Sequence, residues 1–528
     1  MEEKVGFEVI ARSMLPEEET AEPVETKITG SVPSWLNGSL YRNGSGIFEV
    51  GDIKMNHLFD GFSVLSRYDI KDGKVFYKNR ILRSDSWNES IKANRLVYGQ
   101  FGTLEIPDPC KNIFSRFLSY FKMNATDNTA VNIVKHGDAI FTMTETDKIF
   151  QVDPDTLDPV DKVHLGKMIS VHSSTAHPHT DQDGVMYNLA SNYQNRNMAY
   201  CITASNSDQD GNAKPFDNLR IVGSVPSRWR SCHSYNHSFA MSENYFVILE
   251  QNVCIDLLKA AFAKVLRNSY VDCIKIYDKE ELQIAVLEKR NGQQLKTVYR
   301  MNNFFCFHHI NSYEEDGHLI MDLCSHEDIN IIGRVYIEAI RNREFQNNKS
   351  YFTRIVIPLN VADNAPVGVN LITLKDSKAT AVKRNDGSIF LTCDYLTDDP
   401  ADEKSRFEFE LPTFNYAKHV ARPYRYAYGC NLQDKVNKID TVLRSLKIYQ
   451  DPKGNCVGEA IFVPSPNATE EDDGVLLVPV ISTDRQSPCY LTILNAQTMQ
   501  EMARCDVPVS TVIPTSFHGF FDKKMSSN

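Results

Sequence analysis

Short apolar runs of strand-forming residues alternate with turn residues over nearly the whole chain. Asp-Gly pairs recur between these runs, at Asp72-Gly73, Asp183-Gly184, Asp316-Gly317, Asp386-Gly387 and Asp473-Gly474. Each stands just before a hydrophobic stretch, as in Asp316-Gly-His-Leu-Ile-Met-Asp-Leu. Asp-Gly supplies the positive φ angles of a tight type I′ hairpin turn, so the pairs predict antiparallel hairpins. Asp153-Pro-Asp-Thr-Leu157 reads as another turn between two strands. Many hairpins at steady spacing predict an all-β sandwich, barrel or propeller. No clean internal repeat is visible, which argues against the propellers built from short repeated motifs. The stretches near 122–128 and 340–350 read as loops, not linkers, and residues 1–528 are expected to form a single domain.

Helical patterning is sparse. The clearest case is Ile255-Asp-Leu-Leu-Lys-Ala-Ala-Phe-Ala-Lys-Val-Leu-Arg267, where Leu258, Phe262, Val265 and Leu266 fall on one face. A second amphipathic stretch, Lys111-Asn-Ile-Phe-Ser-Arg-Phe-Leu-Ser-Tyr-Phe-Lys122, interleaves basic and aromatic residues. Both suit a membrane interface, with rings in the acyl boundary and basic groups at the headgroups. Ordinary packing on the body of the protein is the alternative for each.

Composition narrows the partners. The 528 residues are 42% hydrophobic, enough for a large core, and the net charge of −11 argues against a nucleic-acid partner. The twelve cysteines include no C-x-x-C pair and no zinc-finger spacing. They are expected to be reduced, mostly buried thiols of an intracellular protein. The start, Met1-Glu-Glu-Lys-Val-Gly-Phe, has neither a signal-peptide core nor an Arg-rich presequence. No run of eighteen apolar residues predicts a membrane span.

Chemistry enters with the histidines, of which there are fourteen. Four settings stand out: Thr175-Ala-His177-Pro-His179, Cys232-His233-Ser-Tyr-Asn-His237, Phe305-Cys-Phe-His308-His309 and Ser516-Phe-His518-Gly. His177 and His237 are 60 residues apart, His237 and His308 are 71 apart, and His308 and His518 are 210 apart, three times 70. A four-stranded propeller blade with long loops occupies about that length, so one histidine from each of four inner strands could meet on an axis. Four neutral imidazoles suit iron, copper, nickel or zinc, and ligand type alone does not choose among them. Each ligating ring wants an acceptor for its second N–H, usually a carboxylate. Glu145, Glu410 and Glu459, set among apolar strand residues, are candidates.

These residues belong to a longer ordered set of motifs. It includes Pro33-Ser-Trp-Leu-Asn-Gly-Ser-Leu-Tyr-Arg-Asn-Gly44, Asn56-His-Leu-Phe-Asp-Gly61, Phe101-Gly-Thr-Leu-Glu-Ile-Pro-Asp-Pro-Cys-Lys-Asn-Ile-Phe114, Thr175-Ala-His-Pro-His179 and Glu470-Glu-Asp-Asp-Gly-Val475. Together they resemble the animal branch of the carotenoid cleavage oxygenases, which holds β-carotene oxygenases, carotenoid isomerooxygenases and a retinoid isomerohydrolase. The resemblance implies a seven-bladed β-propeller, with a few helices and long loops capping the iron-bearing face. It implies Fe(II) on the axis held by His177, His237, His308 and His518, with His179, His233 and His309 as neighbours. Glu145, Glu410 and Glu459 would stand behind the ligands. Phe101, Thr144, Tyr235 and His326 would line the substrate tunnel. Cys110, Phe114, Phe117, Leu258 and Phe262 would form a membrane patch at its mouth, with Cys110 a possible lipidation position.

The implied reaction is oxidative cleavage of a double bond in a carotenoid, β-carotene-like or a xanthophyll, with dioxygen as co-substrate and aldehydes such as retinal or apocarotenals as products, with or without coupled trans–cis isomerisation, by a cytoplasmic protein peripheral on intracellular membranes. The branch's isomerohydrolase, which acts on retinyl ester without oxygen, is the alternative. Against it, His326 stands where that enzyme has a tunnel tryptophan. A non-catalytic carotenoid carrier would not need four histidines backed by three glutamates.

Overall fold

The hairpins assemble into seven antiparallel blades around one axis in the computed structural model, which describes residues 7–107, 126–194, 197–206, 214–342, 344, 349–397, 403–431 and 433–523. The first blade combines both ends of the chain. Its innermost strand is His518–Asp522, followed outward by Gly38–Ile47, Phe62–Lys71, Lys74–Ile81 and Val24–Glu25. The second runs Asn132–His136, Ala139–Met143, Lys148–Val152 and Pro159–His164. In the third, Ser173–Ser174 and His179–Thr180 lie inside Val185–Gln194, Asn197–Asn206 and Arg220–Pro226. The inner strands of blades four to seven are Ala240–Met241, His309–Glu315, Glu410–Phe414 and Ile461–Pro464. The seventh blade takes Lys27–Gly30 as its outer strand, paired with Glu501–Asp506. Two N-terminal segments therefore pair with two C-terminal ones, and the ring closes without a free inner edge.

Local geometry follows the turn chemistry at some Asp-Gly pairs and departs from it at others. Asp72-Gly73 and Asp316-Gly317 have both residues at positive φ (52° and 76°, 46° and 76°), as a type I′ turn requires. At Asp183-Gly184 and Asp386-Gly387 only the glycine has positive φ. Asp473-Gly474 is not a hairpin turn: Gly474 is the first residue of strand Gly474–Ile481. A Cβ there would run into the carbonyl oxygen of Val463 and the ring of Phe462, so this glycine serves close strand approach. One pairing among the described strands is parallel. Tyr299–Met301 is parallel to Ile389–Leu391, because the chain builds blade five before returning to widen blade four.

The expected helix over 255–267 is corrected. Ile255 and Asp256 end a strand, Val253–Asp256, of a separate three-stranded sheet. Two short helices follow, Leu257–Ala261 and Ala263–Leu266. The Asp256 side chain caps the first by accepting from Leu258 N and Lys259 N, which sets its start. Helical insertions pack together with the inner loops into one apolar cluster. It contains Trp87, Tyr235, Ile255, Phe305, Phe307, Ile331 and Ile337. All eleven cysteines among the described residues are free thiols, and nine of them are buried.

Candidate metal centre

Each blade contributes one polar residue to a common point on the axis, at the end where the inner strands begin. His518 is the first residue of the inner strand of blade one, and Glu410 of blade six. His308 immediately precedes the inner strand of blade five, His309–Glu315. His177 comes two residues before His179–Thr180, and His237 three before Ala240–Met241. Glu459 comes two residues before Ile461–Pro464. Glu145 reaches the same end from the far side of a hairpin, just after Ala139–Met143. The histidines were expected in or beside strands, and are found there; of the glutamates, expected on strands, only Glu410 lies within one. Residues flanking a strand are freed from the pleat alternation, so their side chains can tilt toward the axis.

One candidate ligand atom from each of His177, His237, His308 and His518 lies within 4.8 Å of the others. The Nε2 atoms of His177 and His237 are 2.8 Å apart. Nitrogens bound to one first-row ion at about 2.1 Å would be separated by roughly 3 to 4 Å, so the cluster has the dimensions of a metal site. Nδ1 of His237 meets Oε1 of Glu145 at 2.5 Å, Nδ1 of His308 meets Oε2 of Glu410 at 2.6 Å, and Nδ1 of His518 meets Oε1 of Glu459 at 2.9 Å. An ionised carboxylate can only accept, so the proton in these pairs sits on Nδ1 and the Nε2 lone pair is left for the centre. Nε2 of His308 is buried and has no hydrogen-bond partner, an orphan that a metal would satisfy.

The electrostatics agree. Burial, then the neighbouring imidazoles, holds His177 well below the usual histidine range. Burial likewise lowers His518 to about 4, against the raising effect of Glu459. These rings are neutral and ready to ligate. Burial alone would raise Glu410, but His308 and His326 outweigh it and keep its carboxyl ionised. His518 and Arg42 do the same for Glu459. Three carboxylates against the single guanidinium of Arg42 leave two negative charges, which a divalent cation would balance.

Among the described residues, no carboxylate stands behind His177. Its loop is held instead by its backbone. Thr175 Oγ1 donates to Asn188 Oδ1 at 2.6 Å, Asn188 Nδ2 donates to Thr175 O at 2.7 Å, and Asn132 Nδ2 donates to Ala176 O. The other flanking histidines are engaged elsewhere. His179 Nε2 pairs with Phe239 O, His233 Nε2 with Ser191 Oγ, and His309 Nδ1 with Ser238 Oγ.

The cluster opens on a cavity of about 920 Å³, at the large end for ligand sites. Phe101, Thr144, Tyr235 and His326 all line it, with Phe59, Phe307 and Phe517. Leu257, Ala260, Ala261 and Ala263 line it too. On the outer side of the same segment Leu258 and Phe262 are exposed by 64% and 53%, with Val265 and Leu266 beside them. The segment that lines the cavity on one side thus presents an apolar surface to solvent on the other. Cys110, Phe114 and Phe117 lie outside the described residues. No helix among the described residues is long and apolar enough to cross a membrane.

Sequence reasoning missed Arg42 and Gln251. Arg42 is fully buried and ties Glu459 to Ser516 Oγ and Phe517 O, the residues leading to His518. Its strand, Gly38–Ile47, is buried at every position in the fold but reads Gly-Ser-Leu-Tyr-Arg-Asn-Gly-Ser-Gly-Ile in sequence, so no apolar run marked Arg42 as buried. Gln251 bonds Tyr235 O and both backbone groups of Cys306, linking two approaches to the centre; nothing in its sequence setting marks it.

Residues 14–523 match the family model described as retinal pigment epithelial membrane protein. The chain belongs to this family. A human relative, β,β-carotene 15,15′-dioxygenase, is 37% identical over 95% of this chain and 93% of its own length. A carotenoid-cleaving dioxygenase, mitochondrial, from Mustela putorius furo is 35% identical over 98% and 97%. Among solved structures, a mutant of the Synechocystis apocarotenoid oxygenase matches with a TM-score of 0.74 over 97% of this chain and all of its own, at 21% identity. A cobalt-substituted form of that oxygenase matches with a TM-score of 0.73, at 22% identity and the same coverage. At that identity the likeness bears on fold, and it agrees with the seven blades of this member of the retinal pigment epithelial membrane protein family.

Proposed function

We propose that this protein is an Fe(II)-dependent dioxygenase that cleaves a double bond of a carotenoid to give aldehydes. The observation that carries this reading is the junction of a four-imidazole cluster with a large, aromatic-lined cavity. Family membership and the dioxygenase relatives support it. His177, His237, His308 and His518 would hold the iron through Nε2, with Glu145, Glu410 and Glu459 fixing three of the rings. The iron, when bound, supplies the electron transfer that lets dioxygen react with a closed-shell polyene.

The chain's own residues position and protect. Phe59, Phe101, Phe307 and Phe517 give a rigid apolar channel that aligns an extended polyene and keeps water from the histidines. Adding both atoms of dioxygen across one C=C yields two C=O groups with no proton to deliver, so no general acid or base is required. A substrate this insoluble has to come from a lipid phase. Exposed Leu258, Phe262, Val265 and Leu266 beside the cavity support peripheral docking on an intracellular membrane. Pairing of N-terminal strands with C-terminal ones supports reading residues 1–528 as one propeller domain.

The test is to load anaerobic protein with Fe(II), add β-carotene or a xanthophyll in micelles, and admit air. Aldehydes detected by mass spectrometry only after air support the reading, and their masses locate the bond. Turnover of retinyl ester without oxygen assigns the protein to isomerohydrolysis instead, and tight binding of carotenoid with no product by iron-loaded protein makes it a carrier.

A further inference from the structure

Each carboxylate behind the histidines has a second donor, and the three donors differ. Glu145 accepts from the Tyr235 hydroxyl at 2.9 Å. Glu459 accepts from Arg42 Nη1 and from Gly519 N. Glu410 uses Oε2 for His308 and for its neighbour Leu411 N, and Oε1 for His326 Nε2 at 2.9 Å. We propose that His326 is a positioning residue for the metal centre, holding Glu410 so that this carboxylate in turn fixes His308. This rests on the metal reading given above.

The geometry is built for the task. His326 ends strand His318–His326 of blade five, whereas Glu410 begins the inner strand of blade six, so the bond ties neighbouring blades. The backbone of His326 is clamped by Phe305 in both directions, N to O at 2.7 Å and O to N at 2.8 Å. Its ring is 1% exposed and sits against the rings of Phe305 and Phe307. Few rotamers remain open to it. A carboxylate oxygen accepts, so in the 2.9 Å contact with Oε1 the imidazole is the donor, through Nε2. Without this donor, Oε1 is a buried carboxylate oxygen left with no side-chain partner. The carboxylate would turn toward whatever donor remained, and His308 Nδ1 would lose its fixed acceptor. Ligand orientation by such outer hydrogen bonds is worth roughly 10- to 100-fold in metal affinity.

The experiment uses full-length protein stripped of metal with a chelator and titrated with Co(II), followed by equilibrium dialysis and visible d–d absorption. His326→Leu and His326→Phe remove the donor by two different shapes, so that a folding failure of one leaves the other. His326→Gln keeps an N–H donor. The expected result is a roughly 10- to 100-fold loss of Co(II) affinity with an altered d–d band in the Leu and Phe variants, and near wild-type affinity and spectrum in the Gln variant. Wild-type affinity in the Leu and Phe variants, or an equal loss in the Gln variant, overturns the proposal. His308→Ala separates the two readings. If it loses Co(II) while the donor-less His326 variants do not, only the positioning role falls; if it binds Co(II) as wild type does, the metal reading falls with it.

Discussion

Arg42 shows how much of the centre depends on single buried contacts. It is the one guanidinium against the three carboxylates, it is 1% exposed, and it faces Glu459 across a short ion pair. Removing one member of a buried pair leaves an uncompensated charge, at a cost of about 3–5 kcal/mol. Arg42→Met is therefore expected to lower the urea unfolding free energy by about that amount and to weaken metal binding, because Glu459 also holds His518. Little change in the urea midpoint would show that the charge is compensated in another way. The settings of the four histidines were legible from sequence, but three of them hold a second histidine, and only the family resemblance singled out His177, His237 and His308 over His179, His233 and His309. Arg42 lies in a strand rich in glycine and polar residues whose burial shows only in the fold, and its partner, 417 residues away, was not visible at all.

At the scale of elements, two glycines that look alike in sequence separate. Gly73 has φ 76°, and a Cβ added there would meet nothing within 4 Å, so its role is backbone conformation alone. Gly73→Asn is expected to cost less than Gly73→Ala, each about 1 kcal/mol or less, because Asn tolerates the left-handed region. Gly474 has no positive φ but abuts Val463 O and the Phe462 ring. Gly474→Ala and Gly474→Asn are both expected to cost about 1–3 kcal/mol by overpacking, with Asn the worse. Thermal or urea unfolding of the four variants checks the reversal. The segment after Asp256 gives a second prediction. Leu258→Glu with Phe262→Glu removes exposed apolar surface without touching the core. It is expected to reduce cosedimentation with phospholipid vesicles severalfold, while leaving stability within about 0.5 kcal/mol. Unchanged cosedimentation would exclude this face as the docking surface.

The molecule as a whole carries an acid sensitivity. Burial holds His57, His136, His233 and His518 down to about 4 and His309 to about 3. In the unfolded chain such rings protonate near about 6.5. Between these values the unfolded state binds more protons than the folded one, so stability falls as pH falls. Glu410 and Glu459 act further down: their folded values are depressed, so their contribution is present above about 4.5 and is lost below it. Metal-stripped protein is expected to show a urea midpoint that is flat above about pH 7, falls from about 6.5 to 4, and falls again below. A midpoint constant from pH 7 to 5 would mean that these rings are not buried neutral.

By itself the sequence determined the strand-and-turn alphabet, the all-β class and the residue types able to bind a metal, because turn chemistry and side-chain chemistry are local. Its histidine spacing pointed to blades but not to their length, since successive axial residues stand between 32 and 102 residues apart. It could not determine that Glu145, Glu410 and Glu459 complete the ring so that every blade supplies one residue, that His326 and Tyr235 brace carboxylates as well as line a cavity, or that the segment after Asp256 breaks into two short helices. Apart from the helix break, those depend on contacts between chain positions far apart, which are brought within hydrogen-bond reach by assembly of the blades around one axis, closed where strand Gly38–Ile47 pairs with His518–Asp522.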